Sequence, residues 1–175
     1  MNSPAPIIAC RVSSATGDTS MTENPITSRG SIPANPSLDE LGIIVIDHGS
    51  RREQSNRQLL DYVDLLRERA GYRIVEPAHM EIATPDMAMA MNNCVRQGAR
   101  YIVIHPWFLG PGRHWREHIP QLAAEAARPH PQLAYVITEP LGLHPALVEA
   151  TCDRITDALG QATVRSGEKP APAGK

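Results

Sequence analysis

Two histidines lie beside glycines in loops that follow apolar, strand-like segments. His48 stands in Asp-His-Gly-Ser directly after the apolar run 42–47, and His114 stands in Gly-Arg-His-Trp after the apolar run 101–109. Glu81 follows a third such segment and adds a carboxylate. Imidazole and carboxylate groups together suit divalent first-row metals such as Fe²⁺ and Co²⁺. The three side chains therefore predict a metal site, provided that their loops meet.

Each of these residues also has an ordinary structural interpretation. A histidine at a strand end often donates a hydrogen bond to a backbone carbonyl, and Glu81 can be a solvated charge that caps the next helix. His79 and His105 lie within strand-like segments, and we expect both to be structural. The metal hypothesis therefore depends on the convergence of three loops.

A second pattern in the His114 loop indicates different chemistry. The segment His114-Trp-Arg-Glu-His118 matches H-x-x-E-H, in which two histidines one helical turn apart bind zinc and the glutamate acts as a base. Pro120 lacks an N–H, and its ring would collide with the carbonyl group of Arg116 in a regular helix. A regular helix through both histidines is therefore disfavoured, and we rank a zinc peptidase below an Fe²⁺ or Co²⁺ site.

Arginines surround both favoured histidines. Guanidinium groups bind carboxylates in a bidentate manner, so such a cluster suits a substrate with several carboxylates, whereas ordinary solvated surface charge is the alternative. Trp115 can offer flat apolar surface to a planar ring, or it can close the core. The candidate substrate-binding residues of this kind are Arg51, Arg52, Arg113, Trp115 and Arg116.

Four strand-like segments alternate with four amphipathic helical segments. Units of this kind, about 30 residues long, imply right-handed crossovers and a parallel sheet with helices on both faces. In open sheets of this class, ligands bind at the carboxyl ends of the strands. The strands are predicted at 42–47, 73–80, 101–106 and 133–139, and the helices at 54–69, 85–97, 120–127 and 145–159.

The composition excludes several classes of protein. The chain has 175 residues, 42% of them hydrophobic, which suits one domain with an aliphatic core. A net charge of −2 argues against a general nucleic-acid partner, and no apolar run approaches the roughly 18 residues of a membrane span. The cysteines are too far apart for a zinc or iron–sulfur motif. Cys94 and Cys152 fall in apolar helical patterns and are predicted to be core residues.

Three segments are predicted along the chain. Residues 1–40 are rich in Ser, Thr, Pro and Asn, and we expect a disordered N-terminal extension, with a plastid or mitochondrial transit peptide as the alternative. Residues 41–160 form the α/β domain, and residues 161–175 form a flexible C-terminal tail. We expect the protein in the cytoplasm, or in a plastid if the extension is a transit peptide.

The loop motifs resemble those of a known enzyme family. The segments are Asp-His-Gly-Ser-Arg-Arg-Glu-Gln-Ser-Asn at 47–56, Val-Glu-Pro-Ala-His-Met-Glu at 75–81 and Pro-Gly-Arg-His-Trp at 111–115. Together they are similar to the small sirohydrochlorin chelatases among the class II tetrapyrrole chelatases, and especially to the ferrochelatases of plant type. The resemblance covers about 42–159.

This resemblance implies a single flavodoxin-like domain with a four-stranded parallel sheet, helices on both faces, and pairing into a homodimer. It implies that His48, His114 and Glu81 are catalytic and bind the metal. It also implies that Ser50 and Gly112 join the arginines around the substrate.

The implied reaction inserts Fe²⁺ for sirohaem, or Co²⁺ for cobalamin, into sirohydrochlorin. No nucleotide is expected, since no segment resembles a phosphate loop. Plant-type members can hold an iron–sulfur cluster in a cysteine-rich C-terminal tail, but residues 161–175 contain no cysteine, so no cluster is expected. A non-catalytic carrier of divalent metal ions is the main alternative.

Overall fold

The domain is built on a five-stranded sheet. The computed structural model describes residues 27–110 and 112–167, and within these ranges all side chains except those of His114 and residues 162–167. The strand order is β1-β5-β4-β2-β3, with β1 antiparallel to β5 and the other neighbours parallel. The strands are β1 (Ser28–Arg29), β2 (Leu41–Asp47), β3 (Ile74–His79), β4 (Tyr101–Pro106) and β5 (Ala134–Ile137).

Four α-helices connect or follow these strands. A π-helical turn, His114–His118, leads into the third of them. The second begins at Met87 rather than at Pro85, because the Asp86 carboxylate caps it by accepting a hydrogen bond from Met89 N at 2.8 Å. The helices are α1 (Glu53–Ala70), α2 (Met87–Arg96), α3 (Ile119–Ala126) and α4 (Pro145–Gly167).

The central strand β2 explains the apolar run 42–47. Ile44 and Ile46 pack in the core cluster that contains the buried residues of α2 and α3, whereas Ile43 and Val45 pack with the buried residues of α1. A parallel strand buried on both faces requires apolar residues at successive positions rather than at alternate ones.

The four parallel strands have the order β3-β2-β4-β5, which is that of the predicted flavodoxin-like fold, although the sheet has five strands rather than the predicted four. The chain passes from β2 to β3 on one side and then returns to pair β4 with the other side of β2. This change of direction is a topological switch point, and ligands of such sheets bind outside the carboxyl ends of the strands there. The loops that leave β2, β3 and β4 are consequently neighbours.

The apolar face of helix α4 is exposed, and one side of β4 is only partly covered. Residues 148–161 of the helix are all exposed. On the sheet, alternate residues of β4 are only half-buried, although β4 is an interior strand. The exposed apolar residues of the helix are Val148, Ile155 and Leu159, and the half-buried residues of β4 are Tyr101, Val103 and His105.

The structure differs from the sequence prediction at both ends of the domain. Strand β1, which was not predicted, lies within the predicted extension 1–40. Its residue Arg29 also donates a hydrogen bond to the Ala127 carbonyl at 2.7 Å. Helix α4 continues past 160 into the predicted tail. Residues 1–26 and 168–175 lie outside the described residues. No helix among the described residues is long and apolar enough to cross a membrane.

The two cysteines predicted for the core have different environments. Cys94 is buried in α2 as expected, and burial, together with the charge of Glu76, raises the pKa of its thiol to about 12. Cys152 is exposed on α4, so its prediction is wrong. The apolar pattern around it is real, but the helix that carries it does not pack on the sheet.

His105 is expected to make folding stability depend on pH. Its Nδ1 lies 2.8 Å from Thr138 Oγ1, and burial lowers its pKa. The unfolded chain therefore binds the proton more readily, so the contribution of neutral His105 is complete above about pH 6.5 and is lost as the pH falls below it. Urea unfolding at about pH 7.5 and about pH 5.5 should show a larger loss of stability for the wild type than for His105→Gln. Equal losses would contradict this assignment.

Candidate metal site

Backbone hydrogen bonds join the loops that leave β2 and β3. Met80 N donates to Asp47 O at 2.9 Å, and Glu81 N donates to His48 O at 3.3 Å. The ladder between the two strands thus continues past their last residues. The loops that carry His48 and Glu81 are held side by side before any ligand binds.

His48 and Glu81 meet at this edge of the sheet. His48 Nε2 lies 3.1 Å from Glu81 Oε1, and the two side chains are 44% and 56% exposed. An imidazole nitrogen and a carboxylate oxygen so placed can bind one divalent ion from the solvent side. The structure thus brings together two of the three predicted ligands, and their role as metal ligands stays a prediction.

The third predicted ligand, His114, begins the π-helical turn after β4. Its side chain lies outside the described residues. The loop is tied to β2 by a hydrogen bond from Trp107 N to Ile46 O at 2.8 Å. Within the loop, Arg116 N donates to Gly112 O at 3.1 Å. Among the side chains that the structure describes, no three His, Cys, Asp or Glu residues form a group that could hold a metal ion.

The π-helical turn bears on the H-x-x-E-H motif. A zinc site of that type needs two histidines one turn apart on an α-helix. Residues His114–His118 instead follow the wider π-helical path, and the α-helix begins only at Ile119 with Pro120 in its first turn. The irregularity expected from Pro120 is present, and it weakens the peptidase interpretation.

Gly49 and Glu81 pack backbone against backbone. Gly49 has φ +82°, and a Cβ at this position would lie 2.0 Å from the Glu81 carbonyl oxygen. Ala83 N donates to the same oxygen at 2.8 Å, closing a three-residue γ-turn around Ile82 with φ +71°. A β-branched residue in this conformation is strained, and such strain is typical of functional sites.

Asn56 fixes the start of the loop after β2. Its Oδ1 accepts a hydrogen bond from Ser50 N, and its Nδ2 donates to Ser50 O, both at 2.9 Å. Arg52 N in turn donates to Ser50 Oγ at 3.1 Å. Ser50 is therefore clamped to the first turn of α1. The clamp was not predicted, although asparagine side chains often form hydrogen bonds with nearby backbone groups, and Asn56 was therefore a possible sequence signal for it.

A cavity of about 570 Å³ lies between the loop after β2 and the loop after β3. Ser50, Arg51 and Arg57 line it together with buried His79 and Thr84. Two guanidinium groups suit a carboxylate there. Arg57 is absent from the predicted set, because its spacing on α1 is that of an ordinary exposed helix residue. Arg52 is exposed and precedes α1.

The predicted residues of the third loop have separate environments. Arg113 Nε lies 3.1 Å from Glu117 Oε2 in an exposed ion pair, and Arg116 is exposed. Trp115 packs against the core and donates from Nε1 to the Thr138 carbonyl at 3.0 Å. The core-closing alternative therefore describes Trp115 well, whereas both arginines remain available to a ligand.

Comparison with known proteins identifies the family. The family model described as CbiX matches residues 42–158, which is most of the described chain. The chain belongs to the CbiX family. The matched segment contains all three exit loops and ends within α4.

The relatives of this CbiX chain include iron and cobalt chelatases. A chloroplastic sirohydrochlorin ferrochelatase of Arabidopsis thaliana is 50% identical over 121 residues, covering 69% of this chain and 54% of the relative. A sirohydrochlorin cobaltochelatase of Priestia megaterium is 26% identical over 117 residues, covering 66% of this chain and 38% of the relative. The chain thus spans about half or less of these two relatives.

Solved structures share the fold. A CbiX protein of cobalamin biosynthesis from Marinobacter aquaeolei VT8 has a TM-score of 0.60 at 26% identity, covering 69% of this chain and 98% of that one. The cobalt complex of the sirohydrochlorin chelatase SirB from Bacillus subtilis subspecies spizizenii has a TM-score of 0.64 at 24% identity, covering 67% of this chain and 50% of that one.

The contact between Gly49 and Glu81 predicts a defect specific to the metal site. Gly49→Ala places a methyl group against the Glu81 carbonyl, so we expect Co²⁺ affinity to fall about tenfold or more. Gly71→Ala is a matched control, because Gly71 has φ +72° with nothing within 4 Å. It should cost about 1–2 kcal/mol of stability and leave Co²⁺ affinity unchanged. Calorimetric titration with Co²⁺ compares the two, and equal affinities would contradict the proposed geometry.

Proposed function

We propose that the protein is a sirohydrochlorin chelatase that inserts a divalent metal ion, Fe²⁺ for sirohaem or Co²⁺ for cobalamin. The observation that carries the proposal is the contact of 3.1 Å between His48 Nε2 and Glu81 Oε1 at the switch point of the sheet. The ferrochelatase and cobaltochelatase relatives support the same substrate.

In this proposal, one metal ion replaces the two inner protons of the tetrapyrrole. His48, Glu81 and His114 bind the ion as a substrate and present it to one face of the ring. Imidazole exchanges protons near neutral pH, so histidine suits both metal delivery and proton acceptance. The carboxylate of Glu81 offsets part of the metal's charge and can accept a proton.

The ring itself is held by groups around this centre. Its carboxylate side chains suit the guanidinium groups of Arg51, Arg113 and Arg116, since such pairs can form two hydrogen bonds at once. The cavity beside Ser50 adds Arg57 to that set. The half-exposed position of His48 and Glu81 allows the flat macrocycle to approach from solvent.

The metal-binding residues give the first test. Under anaerobic conditions, purified protein should accelerate loss of the sirohydrochlorin absorption band with Fe²⁺ or Co²⁺. We expect His48→Ala and His114→Ala each to lower kcat about 100-fold or more, and Glu81→Gln to lower it about tenfold, because each removes a metal ligand or a charge. His130→Ala is a matched control, since the partly exposed His130 side chain contacts Asn92, which lies on α2 away from the site.

The outcomes of this test separate the candidate functions. Wild-type turnover by folded His114→Ala protein would contradict the assignment of that ligand. Tight metal binding by the wild type, without tetrapyrrole binding or turnover, would favour the metal carrier instead. Stoichiometric zinc with peptide cleavage would favour the peptidase.

We propose further that the protein works as a homodimer. Val148, Cys152, Ile155 and Leu159 follow one another at spacings of four, three and four residues, which places them on one face of α4, and all four are exposed. One side of β4 is likewise only partly covered, although parallel sheets normally carry helices on both faces. A second copy of the chain has matching apolar surfaces to cover both.

The size of α4 is sufficient for such an interface. Its 23 residues make a helix about 35 Å long and about 10 Å wide. A reciprocal contact through two such helices buries several hundred Å² on each copy, approaching the roughly 800 Å² per partner of a stable interface.

Light scattering after gel filtration tests the homodimer. The wild type should have twice the mass of the chain, whereas Ile155→Asp and Leu159→Asp should shift it toward monomer by placing a charge in the apolar contact. Ala150→Asp is the control, because Ala150 is exposed on the opposite side of α4. A monomeric wild type, or Ile155→Asp and Leu159→Asp variants that remain dimeric, would contradict the proposal.

We propose a plastid rather than the cytoplasm as the compartment of this protein, and one relative supports this location. The Arabidopsis relative is chloroplastic. The transit-peptide interpretation of the N-terminal segment falls largely on residues 1–26, which lie outside the described residues. A plastid location would place this protein in the same compartment as that relative.

A further inference from the structure

His79 is buried beside the residues of the candidate metal site. It is the last residue of β3 and pairs in register with Asp47, the last residue of β2. Its side chain is 1% exposed, and its Nδ1 lies 2.5 Å from Asp47 Oδ1. His79 is thus a core histidine, as expected, with a carboxylate partner from the neighbouring strand.

The partners of the imidazole fix its tautomer. The Asp47 carboxylate only accepts hydrogen bonds, so Nδ1 carries the proton and donates it. The other nitrogen, Nε2, is buried and has no hydrogen-bond partner among the described residues. Among the described residues, the His79 side chain therefore forms a hydrogen bond through Nδ1 and none through Nε2.

The Asp47–His79 pair is tied to both loops of the site. Asp47 immediately precedes His48, and its Oδ1 also accepts a hydrogen bond from Gly49 N at 2.9 Å. His79 lies two residues before Glu81, and its own N–H donates to the Pro85 carbonyl at 2.8 Å. One carboxylate oxygen thus joins the start of the first loop to the strand that carries the second.

A buried imidazole is costly at this position. Burial of a polar group is unfavourable unless it is hydrogen-bonded, and the unpartnered Nε2 adds to the cost. An apolar side chain of similar volume would suit the core at least as well. Glu81 meanwhile precedes the strained Ile82, and such a conformation persists only where its surroundings hold it. The cost of the Asp47–His79 pair to the fold therefore indicates that the pair holds the two loops in position rather than stabilising the core.

We propose that Asp47 and His79 act as one unit that positions His48 and Glu81 for the divalent metal ion. The inference rests on the proposed function only in that His48 and Glu81 bind the metal. In this proposal His79 is a positioning residue, because it acts on the metal site through Asp47 and the loop backbones.

Substitutions at both positions test this unit. His79→Leu keeps the volume and removes the donor, whereas His79→Asn keeps a nitrogen donor near the place of Nδ1. We expect His79→Leu to weaken Co²⁺ binding about 10–100-fold and to lower kcat by a similar factor, with KM for the tetrapyrrole nearly unchanged. His79→Asn should recover most of the loss.

A double-mutant cycle asks whether the two residues act together. Asp47→Ala should cause at least the loss of Co²⁺ affinity that His79→Leu causes, because it also removes the acceptor of the Gly49 N–H, and the double variant should be no worse than Asp47→Ala alone. Val63→Ala is the control for general destabilisation, because Val63 is buried in α1 within the other core cluster. It should lower the unfolding free energy and leave Co²⁺ affinity unchanged.

The results distinguish this proposal from the proposed function. Wild-type Co²⁺ affinity in folded His79→Leu protein, failure of His79→Asn to recover, or additive losses in the double variant would each overturn it. If His79→Leu does not fold, Asp47→Ala and His79→Asn decide the question. If the wild type binds Co²⁺ through His48 but does not turn over, the chelatase assignment fails, and the positioning unit is still judged by Co²⁺ affinity.

Discussion

The contact between the Gly49 backbone and the Glu81 carbonyl is the constraint on which the candidate site depends. It exists because β2 and β3 are parallel neighbours whose hydrogen-bond ladder continues into their exit loops. Only glycine fits at 49, with its positive φ and a Cβ position already filled by the carbonyl oxygen. The side chains of His48 and Glu81 are about half exposed, but their backbones are fixed, and this combination suits the proposed transfer of a metal ion to a substrate.

The sequence was informative wherever burial imposed a pattern. The apolar run of β2, the amphipathic helix α2 and the glycine that ends α1 all follow from packing or hydrogen bonding that local residues reveal. The convergence of His48 and Glu81 followed from one general rule about parallel sheets. Its success depends on the sheet order β4-β2-β3, which local spacing alone does not determine.

The features that escaped prediction have identifiable physical causes. Strand β1 has two residues and pairs through its backbone, so it has no apolar period to detect. Gly160 lies inside helix α4 rather than after its end, because glycine disfavours a helix interior by only about 1 kcal/mol. Cys152 is exposed because this helix leaves its apolar face exposed. The Asp47–His79 bond requires the register of two strands 32 residues apart, which composition does not contain.

Membership of the CbiX family connects this geometry to tetrapyrrole chemistry, and the fold accounts for how one small domain can support it. In the proposed function, the sheet supplies a rigid edge, and the loops supply imidazole and carboxylate groups, which suit Fe²⁺ and Co²⁺ alike. The choice between those ions then depends largely on metal availability. The exposed face of α4 and the partly covered side of β4 lie outside this centre, and they are the surfaces that the proposed homodimer would use.

The measurement that tests the central claim most directly is X-ray absorption of the Co²⁺-loaded protein. Metal held by His48, Glu81 and a further imidazole predicts nitrogen and oxygen ligands with the outer-shell scattering of imidazole, and that imidazole signal should decrease in His48→Ala. Sulfur ligands, or an imidazole signal that does not change in His48→Ala, would contradict the assignment of the metal to this edge of the sheet.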